Sequence, residues 1–143
     1  MNENTKPKLA VALLLMRLGV GIVFLMWTID KLMNPEHAAR VFAAFYMIPS
    51  LSVAASYTLG TLQMILVLAF LTGTLKRYSY MAIFVMHLIS TLSTYARYFD
   101  PWTAQNLLFF AAFPMLAACW ALWSLRDQDT ILSFDAWRKA EAN

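Results

Sequence analysis

The chain has 143 residues, of which 61% are hydrophobic and only 13% charged, with a formal charge of +3. An ordinary soluble domain carries about twice that charged fraction, and a soluble helical bundle shows a charged face on each helix, so the composition argues against a water-exposed globule. The basic residues are spread along the chain and form no dense patch, which removes nucleic acid from the partners to consider.

Four apolar runs follow one another, at about residues 9–29, 51–75, 78–96 and 102–125. Each is near or above the roughly 20 residues that an α-helix needs to cross the hydrocarbon core. Only the first contains an Asp, Glu, Lys or Arg, namely Arg17. Lys6 and Lys8 before that run resemble a signal peptide, but the run is too long for a signal core. Its end, Trp27-Thr28-Ile29-Asp30, also lacks a small-residue cleavage pattern, so a retained span is expected.

Asn34-Pro35 reads as a helix start, a capping side chain followed by proline at the first helical position. From there Val41, Phe42, Phe45 and Tyr46 gather opposite Glu36, His37 and Arg40, and Pro49 closes a short helix lying in the outer interface. Pro114 should kink the last span and free a carbonyl one turn earlier. After Arg126, a cap-like Asp129-Thr130 precedes Ile131, Phe134 and Trp137 at intervals of three, an amphipathic tail. The fold class expected is all-α: an integral membrane antiparallel four-helix bundle, one membrane domain over residues 1–143, with an outer interfacial helix and an amphipathic cytoplasmic tail.

Four spans put both termini and the 76–77 turn on one side. That side holds Lys6, Lys8, Lys76, Arg77, Arg126, Arg138 and Lys139, against Lys31, Arg40 and Arg97 on the other. The positive-inside rule then makes the N- and C-termini cytoplasmic, in a multi-pass protein of a bacterial inner membrane. Trp27 and Trp102 mark the outer interface; Tyr78, Tyr80 and Trp123 mark the inner one.

Ionisable and amide groups within spans are costly, so each is a candidate for function. Arg17, Gln63 and His87 fall at similar depth by residue count, one on each of three spans, and would form a midplane polar cluster if they faced one another. Arg17, Gly21, Phe24, Thr28 and Lys31 share one stripe, which makes Thr28 and Lys31 further candidates. Ser52, Ser56 and Gly60 form a small-residue seam with Gln63 one turn on, and with Gly21 these permit close helix packing. The alternative for Gln63 and His87 is ordinary interhelical hydrogen bonding, of order 1 kcal/mol each. Arg17 has no acidic residue in any span to neutralise it, so it must snorkel, use backbone carbonyls, or hold an anionic or carbonyl-bearing ligand or partner.

Cys119 is the only cysteine, so an internal disulfide is impossible, and it reads as a small apolar filler. His37 and His87 lie at different depths and cannot share a metal; no metal site is expected. The nine methionines read as packing rather than as a copper relay.

The pattern Arg17-Leu18-x-x-Gly21-x-x-Phe24, with Asp30-Lys31-Leu32 and Asn34-Pro35, resembles the opening of the DoxX-like membrane proteins. Phe45-Tyr46-Met47-Ile48-Pro49 is similar to the first outer segment of the related MauE-type proteins. Gly60-x-x-Gln63 with Leu71-Thr72-Gly73 resembles the second span, and Asn106-Leu107-Leu108 the last. Gln63 stands where such proteins commonly carry glutamate, and Thr28 replaces a usual glycine. The resemblance implies a four-span fold and a role as accessory subunit or maturation factor beside membrane-bound oxidoreductases and quinone-linked systems.

The leading expectation is thus a non-catalytic accessory subunit or assembly partner of a larger membrane complex, with the lipid bilayer as its other partner and no resident cofactor. The alternative is a small-molecule site in which Arg17, Gln63 and His87 hold a quinone or a lipid. A third reading, a small transporter, finds no repeat or broken helix to mark a path.

Overall fold

A computed structural model describes residues 5–49 and 51–141 of the chain. The first apolar run becomes α1, Thr5–Met33, whose 29 residues rise about 43 Å at 1.5 Å each. It extends past the expected span at both ends. Pro7 lies in its first turn, where no intrahelical donor is needed. Asn34 then hands the chain to α2, Pro35–Phe45, but its side chain makes no cap; its Nδ2 donates instead to Asp30 Oδ1 at 2.9 Å.

Helix α3 spans Val53–Leu71 and starts at Ser52, whose Oγ accepts the Ala55 N–H at 3.1 Å. Ser52 is therefore an exposed helix cap and not part of the packing seam. A turn through Gly73 leads to α4, Lys76–Ser93, and a four-residue helix α5, Tyr95–Tyr98. The last apolar run opens as a 3-10 helix, Asn106–Ala111, and continues as α6, Ala112–Ser124. Pro114 is the reason for the change: it has no N–H to give the Phe110 carbonyl, so it fits the first turn of α6 and not a helix interior. The expected mid-span kink is replaced by a change of helix type. Helix α7, Phe134–Glu141, closes the described chain.

Three of these segments are long and apolar enough to cross a membrane: Thr5–Met33, Val53–Leu71 and Asn106–Ser124. That makes the chain a multi-pass, all-α membrane protein. A simple antiparallel four-helix bundle is too plain a description, because the described residues form seven α-helices and one 3-10 helix. The run expected as a third span, 78–96, becomes the 18-residue α4. It carries Lys76, Arg77, Ser79 and His87 and packs against α3 and α6.

Without a hydrophobic drive between helices in lipid, close packing has to hold them. Leu13, Val20 and Phe24 of α1 meet Val67 and Phe70 of α3, Ile83 of α4, and Cys119 and Leu122 of α6 in one buried cluster. The α1–α3 contact is the closest seam. A Cβ on Gly21 would collide with Leu71 Cδ2, and one on Gly60 would lie 2.6 Å from Leu32 Cδ2. One turn before Gly60, buried Ser56 donates from Oγ to the Lys31 carbonyl at 3.2 Å.

Candidate functional site

The structure divides the buried polar residues into two groups at opposite ends. Arg17 and Lys31, both on α1, are 14 residues apart, about 21 Å along the axis.

At the end where the α3–α4 turn and the C-terminal tail meet, Arg17 is wholly buried. Its Nη1 donates to Asp129 Oδ2 at 3.1 Å and to the Tyr80 hydroxyl at 3.2 Å. Its Nη2 donates to the carbonyls of Ile131 at 2.6 Å and Leu132 at 3.0 Å. Tyr80 in turn donates to Asp129 Oδ2 at 2.5 Å. Asp129 is also 0% exposed, so the counter-ion absent from the spans arrives from the tail. Taking two charges out of water costs several kcal/mol each, and such a pair survives only when further hydrogen bonds satisfy it. Here the bonds come from Tyr80 and two backbone carbonyls; of the pair's own polar atoms, Arg17 Nε and Asp129 Oδ1 have no partner among the described residues.

The tail is fixed at three more points. Lys76 Nζ donates to the carbonyls of Arg126 and Asp129, each at 2.8 Å. Phe134 N–H donates to Thr72 O, and Asp135 N–H to Gly73 O. The Asp135 carboxylate accepts the Leu75 N–H at 3.0 Å and the Lys76 N–H at 2.9 Å, capping α4 from 60 residues away in sequence. Gly73 makes this fit: its φ is +63°, and a Cβ there would lie 2.6 Å from Arg17 Nη1 and 2.9 Å from Ser133 Oγ. The sequence reading of Asp129-Thr130 as a helix cap is corrected here, since α7 begins only after Ser133 and Asp129 is an ion-pair partner.

At the other end, Lys31 Nζ donates to Gln63 Oε1 at 2.5 Å and lies over the Phe42 ring, 5.5 Å from its centroid. Asp30 is turned away to Asn34 and to His37, whose Nδ1 lies 2.6 Å from its Oδ2. Thr28 is buried and spends its hydroxyl hydrogen on the Phe24 carbonyl at 2.7 Å, leaving no donor for a ligand. His87 bonds through Nε2 to the Ala112 carbonyl at 3.0 Å and packs its ring against Phe24 and Trp27. Arg17, Gln63 and His87 therefore do not bond to one another. Equal depth counted along each sequence misplaced Arg17 relative to Gln63, because the α1–α3 register sets Gln63 level with Lys31, 14 residues further along α1.

Two cavities open at this end, sharing Trp27, Ser90, Thr94 and Phe109 as walls. One, about 280 Å³, lies under α2 and is lined by Lys31, Gln63, Phe42 and Phe45. The other, about 450 Å³, lies between α1, α4 and the 3-10 helix, with His87 in its wall. The aromatic face of α2 thus roofs the first cavity at this end of the protein. Its side chains are positioned by Phe45 stacking on Phe109 and by Arg97 over the Phe45 ring.

Sequence reasoning missed Asp129, Tyr80, Lys76 and Asp135. A signal existed for the first: an arginine inside a span needs an anion, and Asp127, Asp129 and Asp135 crowd the tail beside apolar residues.

These features define a small multi-pass helical membrane protein with a latched tail and, at the opposite end, a cavity roofed by α2. The chain belongs to the family of the methylamine utilisation protein MauE, whose model matches residues 9–101. Neither a curated protein nor a solved structure matches it.

Proposed function

We propose that this protein is a non-catalytic accessory subunit or assembly partner of a larger membrane complex linked to an oxidoreductase. The observation that carries this reading is family membership over residues 9–101. It is supported by the small extramembrane mass and by the use of the strongest buried charges, Arg17 and Asp129, to hold the chain's own tail. The side chains of Phe110, Phe113, Ala117, Trp120 and Ser124 form an exposed stripe along the last apolar segment, at steps of three and four, available to lipid or to a partner helix.

The topology belongs to the same proposal. Helix α4 is the remaining span, its 18 residues rising about 27 Å. The latched end, with Lys76, Arg77, Arg126, Arg138 and Lys139, faces the cytoplasm of a bacterial inner membrane. The chain is then one membrane domain. Gentle-detergent purification from the native membrane, with mass spectrometry of co-purifying chains and a visible spectrum, tests this. A stoichiometric larger membrane protein is the expected result; consistent recovery alone contradicts it.

A second reading is favoured by the outer cavities: they hold a lipid-soluble small molecule. Their sizes and mainly apolar walls match those of ligand pockets, which run about 300–1,000 Å³ with few placed polar groups. Arg17 is excluded from that site by its partners; Lys31, Gln63 and His87 remain its polar groups.

A further inference from the structure

His87 is 2% exposed, and its Nε2 meets a carbonyl oxygen, that of Ala112, at 3.0 Å. A carbonyl only accepts, so Nε2 carries the hydrogen. In the neutral ring Nδ1 is then a bare acceptor. The protonated ring would bury a cation to which no acidic side chain is bonded, far the costlier state at this depth. Nδ1 has no partner among the described residues. Of the hydroxyls lining the same cavity, Thr91 Oγ1 donates to the His87 carbonyl at 2.8 Å and Thr94 Oγ1 to the Thr91 carbonyl at 3.0 Å, and that of Ser90 is not bonded to Nδ1. A buried acceptor without a donor is disfavoured, and this one belongs to a ring in the wall of a cavity of about 450 Å³.

We propose that this cavity binds an apolar molecule bearing a hydroxyl, of the alcohol or phenol class, which donates its hydrogen to His87 Nδ1. The apolar body lies along Trp27, Leu108, Phe109 and Met115. The inference rests on the reading that the outer cavity holds a lipid-soluble molecule and adds its chemistry. The Ala112 carbonyl fixes the tautomer, and the tautomer selects for a donor. A molecule offering only carbonyl oxygens, such as an oxidised quinone, would set lone pair against lone pair.

The test uses the full chain in lipid nanodiscs with ¹⁵N-labelled histidine, titrated with 4-hexylphenol and with 4-hexylanisole, which has the same shape without the donor. Concentrations are referred to the bilayer. Exposed His37 is the internal control. The phenol is expected to move the His87 Nδ1 resonance to lower frequency and to bind about tenfold more tightly than the ether, the worth of one buried hydrogen bond. His87→Leu should abolish that preference. If that variant does not fold, Ser90→Leu, which narrows the cavity and keeps the imidazole, must weaken phenol binding.

Equal binding of phenol and ether, with Nδ1 unmoved, overturns the donor selection and leaves an apolar cavity. Binding of neither, or binding indifferent to Ser90→Leu, overturns the cavity reading as well.

Discussion

The two ends of the molecule use buried polarity in opposite ways. At the latched end, Arg17, Asp129, Tyr80, Lys76 and Asp135 bond to one another and to backbone, joining α1, the α3–α4 turn, α4 and the tail. At the other end, Lys31 leans on a neutral amide beneath the amphipathic α2, and His87 keeps an unpartnered nitrogen in a ring that walls a second cavity. Both ends carry residues that the cost of intramembrane polarity marks as functional candidates. Both ends leave buried polar atoms open, Arg17 Nε and Asp129 Oδ1 at one and His87 Nδ1 at the other; what separates them is that the first two belong to a pair bonded to its own chain and the third to a ring in a cavity wall.

Substitutions break this comparison in graded steps. Arg17→Ala should have the largest effect, because it leaves Asp129 buried without its cation, at about 3–5 kcal/mol. It should also release the tail to trypsin near Arg126, read by limited proteolysis and by unfolding in SDS. A variant with unchanged stability would remove the latch from the account. Gly73→Ala places a side chain in left-handed backbone against Arg17 Nη1, and about 2 kcal/mol should be lost. The midpoint of thermal unfolding in mild detergent measures it.

Asp135→Ala removes the cap from the first turn of α4, a loss of about 1 kcal/mol, visible as faster amide exchange at Leu75 and Lys76. Lys31→Met at the other end should change stability least, by less than about 1 kcal/mol, since the hydrogen bond and cation–π contact it gives up are offset by no longer burying an ammonium. A loss at that end as large as that of Arg17→Ala would erase the distinction between the two.

Much of the architecture was legible because apolar length and helix punctuation are local signals. The first span, the helix beginning at Pro35 and the amphipathic character of residues 134–141 follow from residue order alone. The seam at Gly21, Ser56 and Gly60 follows from small residues at helical spacing. Polar pairing was not legible. Asp129 lies 112 residues from Arg17 and Asp135 some 60 from Leu75, so only the fold brings them together. Residue counts also treat each span as entering the membrane at the same level, whereas the α1–α3 register sets Gln63 level with Lys31, leaving Arg17 in the junction packed by the returning tail. The 3-10 start of the last segment depends on one missing N–H at Pro114, a detail that mean hydropathy does not register.

The central claim, that Arg17 serves the fold through Asp129 and not a ligand, is tested most directly by a double-mutant cycle with Arg17→Met and Asp129→Leu, read as unfolding free energy in SDS. Each single variant should be strongly destabilised and the double variant much less so, a coupling of about 3 kcal/mol. Additive losses, with no recovery in the double variant, would contradict the latch and return Arg17 to the search for a ligand.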